Sequence, residues 1–270
     1  MKETISACIT AGNEEGNIRR CLQSVTWADE IVVVDSFSTD HTVEICKEFT
    51  DLVYQHRWLG YIGQKNLIKD LASSDWILFL DADEEISSSL RGEIEHEMTS
   101  GKARYVAGYE FPRMVYYLGR WIRHGDWYPD TKLRLFRKDL GKCGGQEPHD
   151  RIIVDGAVKR LHSPMYHYTY TCIEDQVASI NRFSTITAMG RYESRQRFRF
   201  IDLLLRPPLR FLRGYILKGG CLDGLPGLVV AATTAYGVFV KYAKLWELHK
   251  GMRPPPELLR LPTSGGDGKA

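Results

Sequence analysis

Residues 76–85 read Trp76-Ile77-Leu78-Phe79-Leu80-Asp81-Ala82-Asp83-Glu84-Glu85, five apolar residues running into four carboxylates within five positions. A short continuous apolar run is the pattern of a strand covered on both faces, as in parallel sheets. Ligands of open α/β sheets sit beyond the carboxyl ends of such strands, where Asp81 and Asp83 fall. Two carboxylates one residue apart repel unless a cation lies between them. A hard divalent ion carrying substrate phosphates suits that position, since Mg²⁺ is held by one or two carboxylates plus phosphate oxygens. The plainer alternative is that Asp81 opens a turn and Asp83 caps the next helix, with Glu84 and Glu85 favouring its N-terminus.

The flanking sequence alternates strand and helix patterns. Ile5 to Thr10 is a short strand, followed by the turn Ala11-Gly12-Asn13-Glu14-Glu15 with Asn13 as helix cap. Ile18, Cys21, Leu22 and Val25 then recur at helical spacing. Ile31 to Val34 is a second buried strand ending on Asp35, and the polar loop Ser36-Phe37-Ser38-Thr39-Asp40 caps a helix carrying Val43, Cys46 and Phe49. Leu52-Val53-Tyr54 is a weaker strand, and Leu67, Ile68 and Leu71 mark the helix that leads into Trp76. This alternation predicts a doubly wound, mostly parallel sheet. If the strands ending at Asp35 and Asp81 are neighbours, both acids face one crevice, with a nucleotide base near the first and its phosphates near the second.

Further on, Leu90, Ile94 and Met98 predict a helix, Tyr105 to Met114 a strand, and Leu133-Arg134-Leu135-Phe136 another. The stretch from Leu118 to Asp130 is dense in aromatics, charges and turn formers, which suits sugar stacking or, equally, a packed surface loop. Gly144 to Asp150 reads as a flexible loop presenting Asp150 beside His149.

Of the 270 residues, enough for one α/β domain and an appendage, the net charge is +2, which argues against a nucleic-acid binder. The charge is unevenly spread: from Gly190 to Lys218 eight basic residues face two acidic ones, so that segment is +6 and the rest −4. Phe198 to Lys218 mixes apolar residues with Arg and is interrupted by Pro207-Pro208. Leu225 to Val240 is apolar but falls short of the roughly 20 residues of a spanning helix. An interfacial anchor on anionic lipid fits both length and charge; a helical pair packed back on the domain is the alternative. The six cysteines show no C-x-x-C spacing and read as buried apolar residues in a reducing compartment. No signal-peptide pattern opens the chain, and a cytoplasmic location is expected.

Taken together, Thr10-Ala11-Gly12-Asn13-Glu14-Glu15, Val33-Val34-Asp35-Ser36-Phe37-Ser38-Thr39-Asp40, Gln64-Lys65-Asn66 and Leu80-Asp81-Ala82-Asp83-Glu84 resemble family 2 inverting glycosyltransferases of the GT-A fold. The stretch Gly119 to Asp130 and the ending Lys241-Tyr242-Ala243-Lys244-Leu245-Trp246-Glu247 resemble one branch, the lipopolysaccharide core β-1,4-glucosyltransferases and their relatives. The resemblance covers about residues 4 to 250 and implies transfer of a hexose, glucose by that branch, from a UDP-sugar with Mg²⁺ or Mn²⁺. The implied acceptor is a lipopolysaccharide-core or lipid-linked glycan at the inner face of the cell membrane. The expected organisation is a catalytic domain over 1–170, a helical, basic and apolar membrane-associating region over 171–252, and, from its prolines, glycines and polar residues, a disordered tail over 253–270. By the same resemblance Thr10, Asn13 and Glu14 line the nucleotide pocket, Asp35 accepts the uracil N–H, and Lys65 contacts base or diphosphate. Asp83 is the main metal ligand of the Asp-X-Asp motif, with Asp81 near the ribose and the metal's water shell. Asp150 stands where the branch has the glutamate of a His-Glu pair, so it is the expected base; His149 is a third metal ligand or acceptor contact, and Asp126 and Asp130 are reserves for base or sugar binding. Phe37 stands where the family has glycine, which is costly if the position needs φ > 0.

Three rivals remain open from sequence. A polyprenyl-phosphate sugar transferase would need little base help. A sugar-nucleotide pyrophosphorylase would want a basic Gly-rich first loop, where this chain is acidic. A non-catalytic nucleotide or membrane adaptor would have little use for both Asp81 and Asp83.

Overall fold

The computed structural model describes residues 3–146 and 149–252, with side chains throughout except those of Gln146 and His149. The expected disorder of 253–270 concerns residues outside that range. Contacts divide the described chain into two units, one of residues 3–113 and 130–168 and the other of 114–129 and 169–252.

In the first unit β1 (Ile5–Ala11), α1 (Ile18–Gln23), β2 (Glu30–Asp35), α2 (Thr42–Lys47), β3 (Val53–Gln55), α3 (Gly60–Leu71) and β4 (Trp76–Asp81) follow in order. The four strands are parallel in the order β3–β2–β1–β4. Alternate residues of each strand serve opposite faces. Ala7, Ile9, Val33, Leu78 and Leu80 pack with Ile18 and Leu22 of α1, whereas Cys8, Val32, Val34, Ile77 and Phe79 pack with Ile68 of α3. Both faces are covered, which is why the strands carry apolar residues at nearly every position.

The chain continues through β5 (Glu84–Ile86), α4 (Ser88–Thr99), a 3₁₀ turn at Lys102–Tyr105, and β6 (Gly108–Tyr117). The predicted strand at Tyr105 thus begins three residues later. After β7 (Arg120–Ile122) come β8 (Asp130–Arg137), β9 (Gly141–Gln146), β10 (His149–Val154), β11 (Val158–Arg160) and β12 (Met165–His167). β8 lies antiparallel against β4, with Leu78 opposite Leu135, and β12 lies antiparallel against β5, with His167 opposite Glu84. The sheet is therefore parallel at its centre and mixed beyond β4.

Four local expectations are corrected. Helix α1 is capped at Asn17, not Asn13, because residues 13–17 are spent on a turn in which Asn13 takes φ 52. The cap of α4 is Ser87, whose hydroxyl accepts from Leu90 N–H at 3.1 Å, so Asp83 is left free of that duty. The strands ending at Asp35 and Asp81 are not neighbours, since β1 lies between them. The described residues of the Gly144 to Asp150 segment belong to two paired antiparallel strands, β9 and β10, and Ile152 and Val154 of β10 pack on the cluster of Phe79 and Phe136.

The second unit holds β7, the segment to Pro129, and three helices: α5 (Ile173–Glu193), α6 (Phe200–Leu212) and α7 (Gly224–His249). It thus takes in residues 114–129, which the sequence reading kept with the sheet. A π-helical turn, Arg213–Leu217, follows α6. α6 runs through Pro207-Pro208 without interruption. α7 is also continuous, because Pro226 falls in its first turn, where a backbone N–H has no helical acceptor. Gly227 admits close approach there, since a Cβ would lie 1.9 Å from the Gly220 carbonyl oxygen. By length and composition the helical stretch Gly220–His249 could cross a membrane, against the expectation from its apolar core alone, and 22% of its apolar window is buried. Trp127 packs with Tyr117 and Tyr170 in the core formed around Val230, which makes it part of the packing of this unit.

Candidate active site

The strand order reverses about β1, so the carboxyl ends of β1 and β4 form the crevice where open α/β sheets bind ligands. Thr10 is in register with Asp81 across β1 and β4, and Ala11 with Asp35 across β1 and β2. Two strand spacings, about 10 Å, separate the two acids. A nucleoside can span that distance.

Asp35 is fully buried and already engaged. Its carboxylate accepts from the Ser38 N–H at 2.9 Å, from Gln55 Nε2 at 3.2 Å and from the Ser38 hydroxyl. The neighbouring loops are stitched together: Asn13 N–H donates to Ser38 Oγ at 2.7 Å, Thr39 N–H donates to Asn13 Oδ1 at 2.7 Å, and Glu14 N–H donates to Thr42 Oγ1 at 2.7 Å. Phe37 sits in this loop at φ 60 and the residue is 58% exposed. A left-handed conformation costs a bulky L-residue about 1–2 kcal/mol, of which glycine's extra unfolded-state entropy returns a part. Phe37→Gly should therefore stabilise the protein by about 1 kcal/mol in urea unfolding. A loss of stability instead would mean that the ring makes up for its strain.

At the end of β4 the charges are paired in a tight lattice. Lys65 Nζ, on a side chain only 5% exposed, lies 3.2 Å from Asp81 Oδ1 and 2.9 Å from Asp150 Oδ2. Arg134 of β8 lies 2.7 Å from both Asp81 Oδ2 and Glu84 Oε1. Arg113 of β6 joins Glu84 at 3.2 Å to Asp130 at 2.7 Å, and Lys132 lies 3.1 Å from Asp130. Burial would raise the pKa of Asp81, but Arg134 and Lys65 outweigh it and hold that carboxyl far below the usual range. Burial likewise works against charge on Lys65, and Asp81 outweighs it, so the ammonium is held above its ordinary value. Asp130 is treated the same way by Arg113 and lies below the carboxylate range.

Asp83 stands apart from this lattice. Its Oδ2 is 3.0 Å from His167 Nε2, which the β5–β12 register delivers opposite Glu84. Burial raises the Asp83 pKa and His167 more than offsets it, so the carboxyl lies below its ordinary value. His167 Nδ1 is buried without a hydrogen-bond partner among the described residues.

The geometry thus brings together Lys65, Asp81 and Asp150, links them through Arg134, Glu84 and Arg113 to Asp130, and sets Asp83 beside His167. Asp126 lies in the second unit, its side chain 3% exposed, 2.8 Å from Arg210 Nε and 3.1 Å from Lys218 Nζ. The side chain of His149 is outside the described residues. Arg134, Arg113 and His167 did not figure among the sequence candidates. Arg134 carried a signal, a lone charge inside the apolar run Leu133 to Phe136.

Carboxylate oxygens suit Mg²⁺ or Mn²⁺, and an imidazole nitrogen beside them favours the softer Mn²⁺ of the two. Among the described residues no three of His, Cys, Asp and Glu converge as a ready cage.

The profile of Glycosyl transferase family 2 matches residues 6–161. The lipopolysaccharide core biosynthesis glycosyltransferase LpsC of Rhizobium meliloti (strain 1021) is 32% identical over 255 residues, covering 92% of this chain and 94% of the relative. An uncharacterized glycosyltransferase of Rickettsia typhi is also 32% identical, over 90% of this chain and 87% of its own. Among solved structures, residues 1–349 of Staphylococcus aureus TarS share 14% identity over 92% of both chains, with a TM-score of 0.45. The chain belongs to glycosyl transferase family 2, and its mostly parallel central sheet followed by C-terminal helices is of the GT-A type.

Proposed function

We propose, with membership of glycosyl transferase family 2 as the premise, that this chain is an inverting, metal-dependent hexosyltransferase using a UDP-sugar. Its proposed acceptor is a lipopolysaccharide-core or lipid-linked glycan at the cytoplasmic face of the cell membrane, and glucose is the first donor sugar to test. The observation that carries the reading is the pairing of Asp83 with His167 at 3.0 Å beside an Asp81 already neutralised by Lys65 and Arg134. The name of the Rhizobium relative supports a core-glycan acceptor.

In this reading Asp35, Thr10, Asn13 and Glu14 shape the nucleoside end of the crevice. Asp83 and His167, with Asp81 behind them, would hold a divalent cation, which would supply positive charge to the diphosphate leaving group. His149 remains a candidate third ligand. Lys65 lies between Asp81 and Asp150, so it brings a cation to the diphosphate end and orients the base. The acceptor hydroxyl oxygen bonds to the anomeric carbon as that carbon's bond to the diphosphate oxygen breaks. The departing oxygen keeps the electron pair, and the hydroxyl proton passes to Asp150. Asp150 meets Lys65 and the Cys143 thiol through Oδ2, and Oδ1 has no hydrogen-bond partner among the described residues. In this reading Oδ1 takes the proton.

The second unit is proposed to hold the enzyme on anionic membrane, as a peripheral rather than a spanning region. Its basic α5–α6 segment and the exposed apolar residues of α6 support this.

Calorimetric titration with UDP-glucose, UDP-galactose, UDP-N-acetylglucosamine and GDP-mannose, with and without Mn²⁺, tests the donor site. One UDP-sugar is expected to bind only with metal, and Asp83→Ala should abolish that binding. Metal-independent binding, or none in the wild type, would overturn the assignment.

A further inference from the structure

The α7 ending Lys241 to Glu247 resembles one branch of the family, yet sugar transfer as proposed leaves it without a task. Two of its residues are structural. Lys244 Nζ donates to Asn181 O and Oδ1 at 2.6 Å each, to Ser184 Oγ at 2.9 Å and to Thr185 Oγ1 at 2.7 Å, fastening α7 to α5. Leu245 is buried with Ala188 of α5, and Leu203 of α6 packs on the same cluster.

Lys241 is different. Its ammonium lies 5.1 Å from the ring centroid of Tyr242, a residue that is itself buried. The guanidinium groups of Arg191 from α5 and Arg206 from α6 lie 5.4 and 5.5 Å from the same centroid, and Arg191 Nη1 also donates to Tyr242 Oη at 3.2 Å. Three helices thus bring three cations to one ring. Arg206 is paired with Asp202 at 2.7 Å, and its neighbour Arg210 with Asp126 at 2.8 Å. Arg191 and Lys241 have no carboxylate partner in any ion pair among the described residues. Burial, then Arg191, Arg206 and Arg210, push Lys241 down to about 8. Among the described residues the cluster thus sets three cations against one carboxylate, Asp202.

The surface beside it indicates where a second anion comes from. No residue of α6 is buried, and Phe200, Ile201, Leu204, Leu205, Leu209 and Leu212 are exposed. Asp202, with a side chain 14% exposed, and Arg210, paired with the buried Asp126, turn toward the neighbouring elements, while these apolar side chains turn outward. This inverts the pattern of a helix on a water-exposed surface and matches one lying in a lipid interface.

We propose that Arg191, Arg206 and Lys241 around Tyr242 form a binding site for the phosphate of a lipid headgroup, with the apolar face of α6 seated in the adjoining acyl boundary. The proposal rests on the peripheral-membrane reading and gives it a specific site. The tyrosine ring holds the cations in place, and a phosphodiester supplies the missing counter-charge through charge-assisted hydrogen bonds.

The test is sedimentation of the full chain with phosphatidylcholine vesicles and with phosphatidylglycerol–phosphatidylcholine vesicles. Wild type should prefer the anionic vesicles. Lys241→Gln and Arg191→Gln should each weaken that binding at least about tenfold, whereas Arg197→Gln, an equal charge removed from the exposed loop, should cost about fivefold or less. Lys241→Arg, which keeps the charge, should bind as wild type does, with melting curves showing that every variant is folded. Equal losses in all three neutral variants would mean diffuse attraction and overturn the site while leaving the membrane reading intact. No binding of wild type to anionic vesicles would overturn both. Titration with glycerol phosphate separates the sources. Saturable binding that Lys241→Gln abolishes, without any effect of that variant on vesicles, would assign the site to a soluble phosphate and overturn the lipid.

Discussion

Asp150→Asn is expected to lower kcat by about 10²–10⁴-fold while leaving donor binding largely unchanged. Asparagine keeps the size of the side chain and its oxygen toward Lys65, so the 2.9 Å contact to that ammonium has a substitute. Lys65 also keeps Asp81 at 3.2 Å, so the donor end of the crevice retains its cation. What is lost is the capacity to accept a proton from the acceptor hydroxyl. Asp130→Asn gives the contrast. Asp130 is bound by Arg113 and Lys132 and held below the carboxylate range, which makes it a poor base at neutral pH. Its replacement should cost far less in kcat. Steady-state kinetics with the preferred UDP-sugar and a core-glycan acceptor measures both. Full activity in Asp150→Asn would favour a phosphate acceptor, which arrives already ionised and needs little base assistance. The polyprenyl-phosphate reading would then replace the present one.

Much of the central sheet was legible because its physics is local. β1, β2 and β4 carry apolar residues toward both α1 and α3, and a run such as Ile77 to Leu80 can belong only to an element covered on both sides. The end of such a strand also locates Asp81 and Asp83. What could not be read was anything that depends on strand order. β1 lies between β2 and β4, a fact of crossover connections, so Asp35 and Asp81 are two strands apart. His167 reaches Asp83 only because β12 pairs antiparallel with β5, across a sequence separation of 84 residues. The strand pair holding Asp150 looked like a loop because glycines dominate its first strand, while Ile152 and Val154 supply the burial that makes it sheet. Pro207-Pro208 was read as an interruption, yet α6 runs through both. Arg134 was visible as an anomaly but not as a partner, since both of its carboxylates come from elements remote in sequence.

Arg134→Met is expected to destabilise the protein by about 3–5 kcal/mol. The guanidinium is almost fully buried, and burial works against its charge, but Asp81 and Glu84 outweigh that and keep it ionised. Methionine fills much of the same volume, so the loss comes from the abandoned acids rather than from a cavity. Among the described residues Glu84, with a side chain 0% exposed, would retain only Arg113 at 3.2 Å and the Asp81 N–H at 3.0 Å, and the Asp81 carboxylate would retain only Lys65. The pH dependence has a definite sign. Asp81 lies far below its ordinary value when folded, so its stabilisation is fully present above the ordinary carboxylate range and is lost as pH falls toward the folded value. Removing Arg134 raises the folded pKa, so less stabilisation remains to be lost on acidification, and the gap between Arg134→Met and wild type should shrink as pH falls through the ordinary carboxylate range. Urea unfolding at neutral and mildly acid pH measures both effects. The double variant Arg134→Met, Glu84→Gln decides the cause. If an uncompensated buried carboxylate is the penalty, replacing Glu84 by a neutral amide should recover part of the loss. If the double variant is less stable than Arg134→Met alone, the lattice acts through its geometry, and the position of Asp81 rather than its charge is what Arg134 secures.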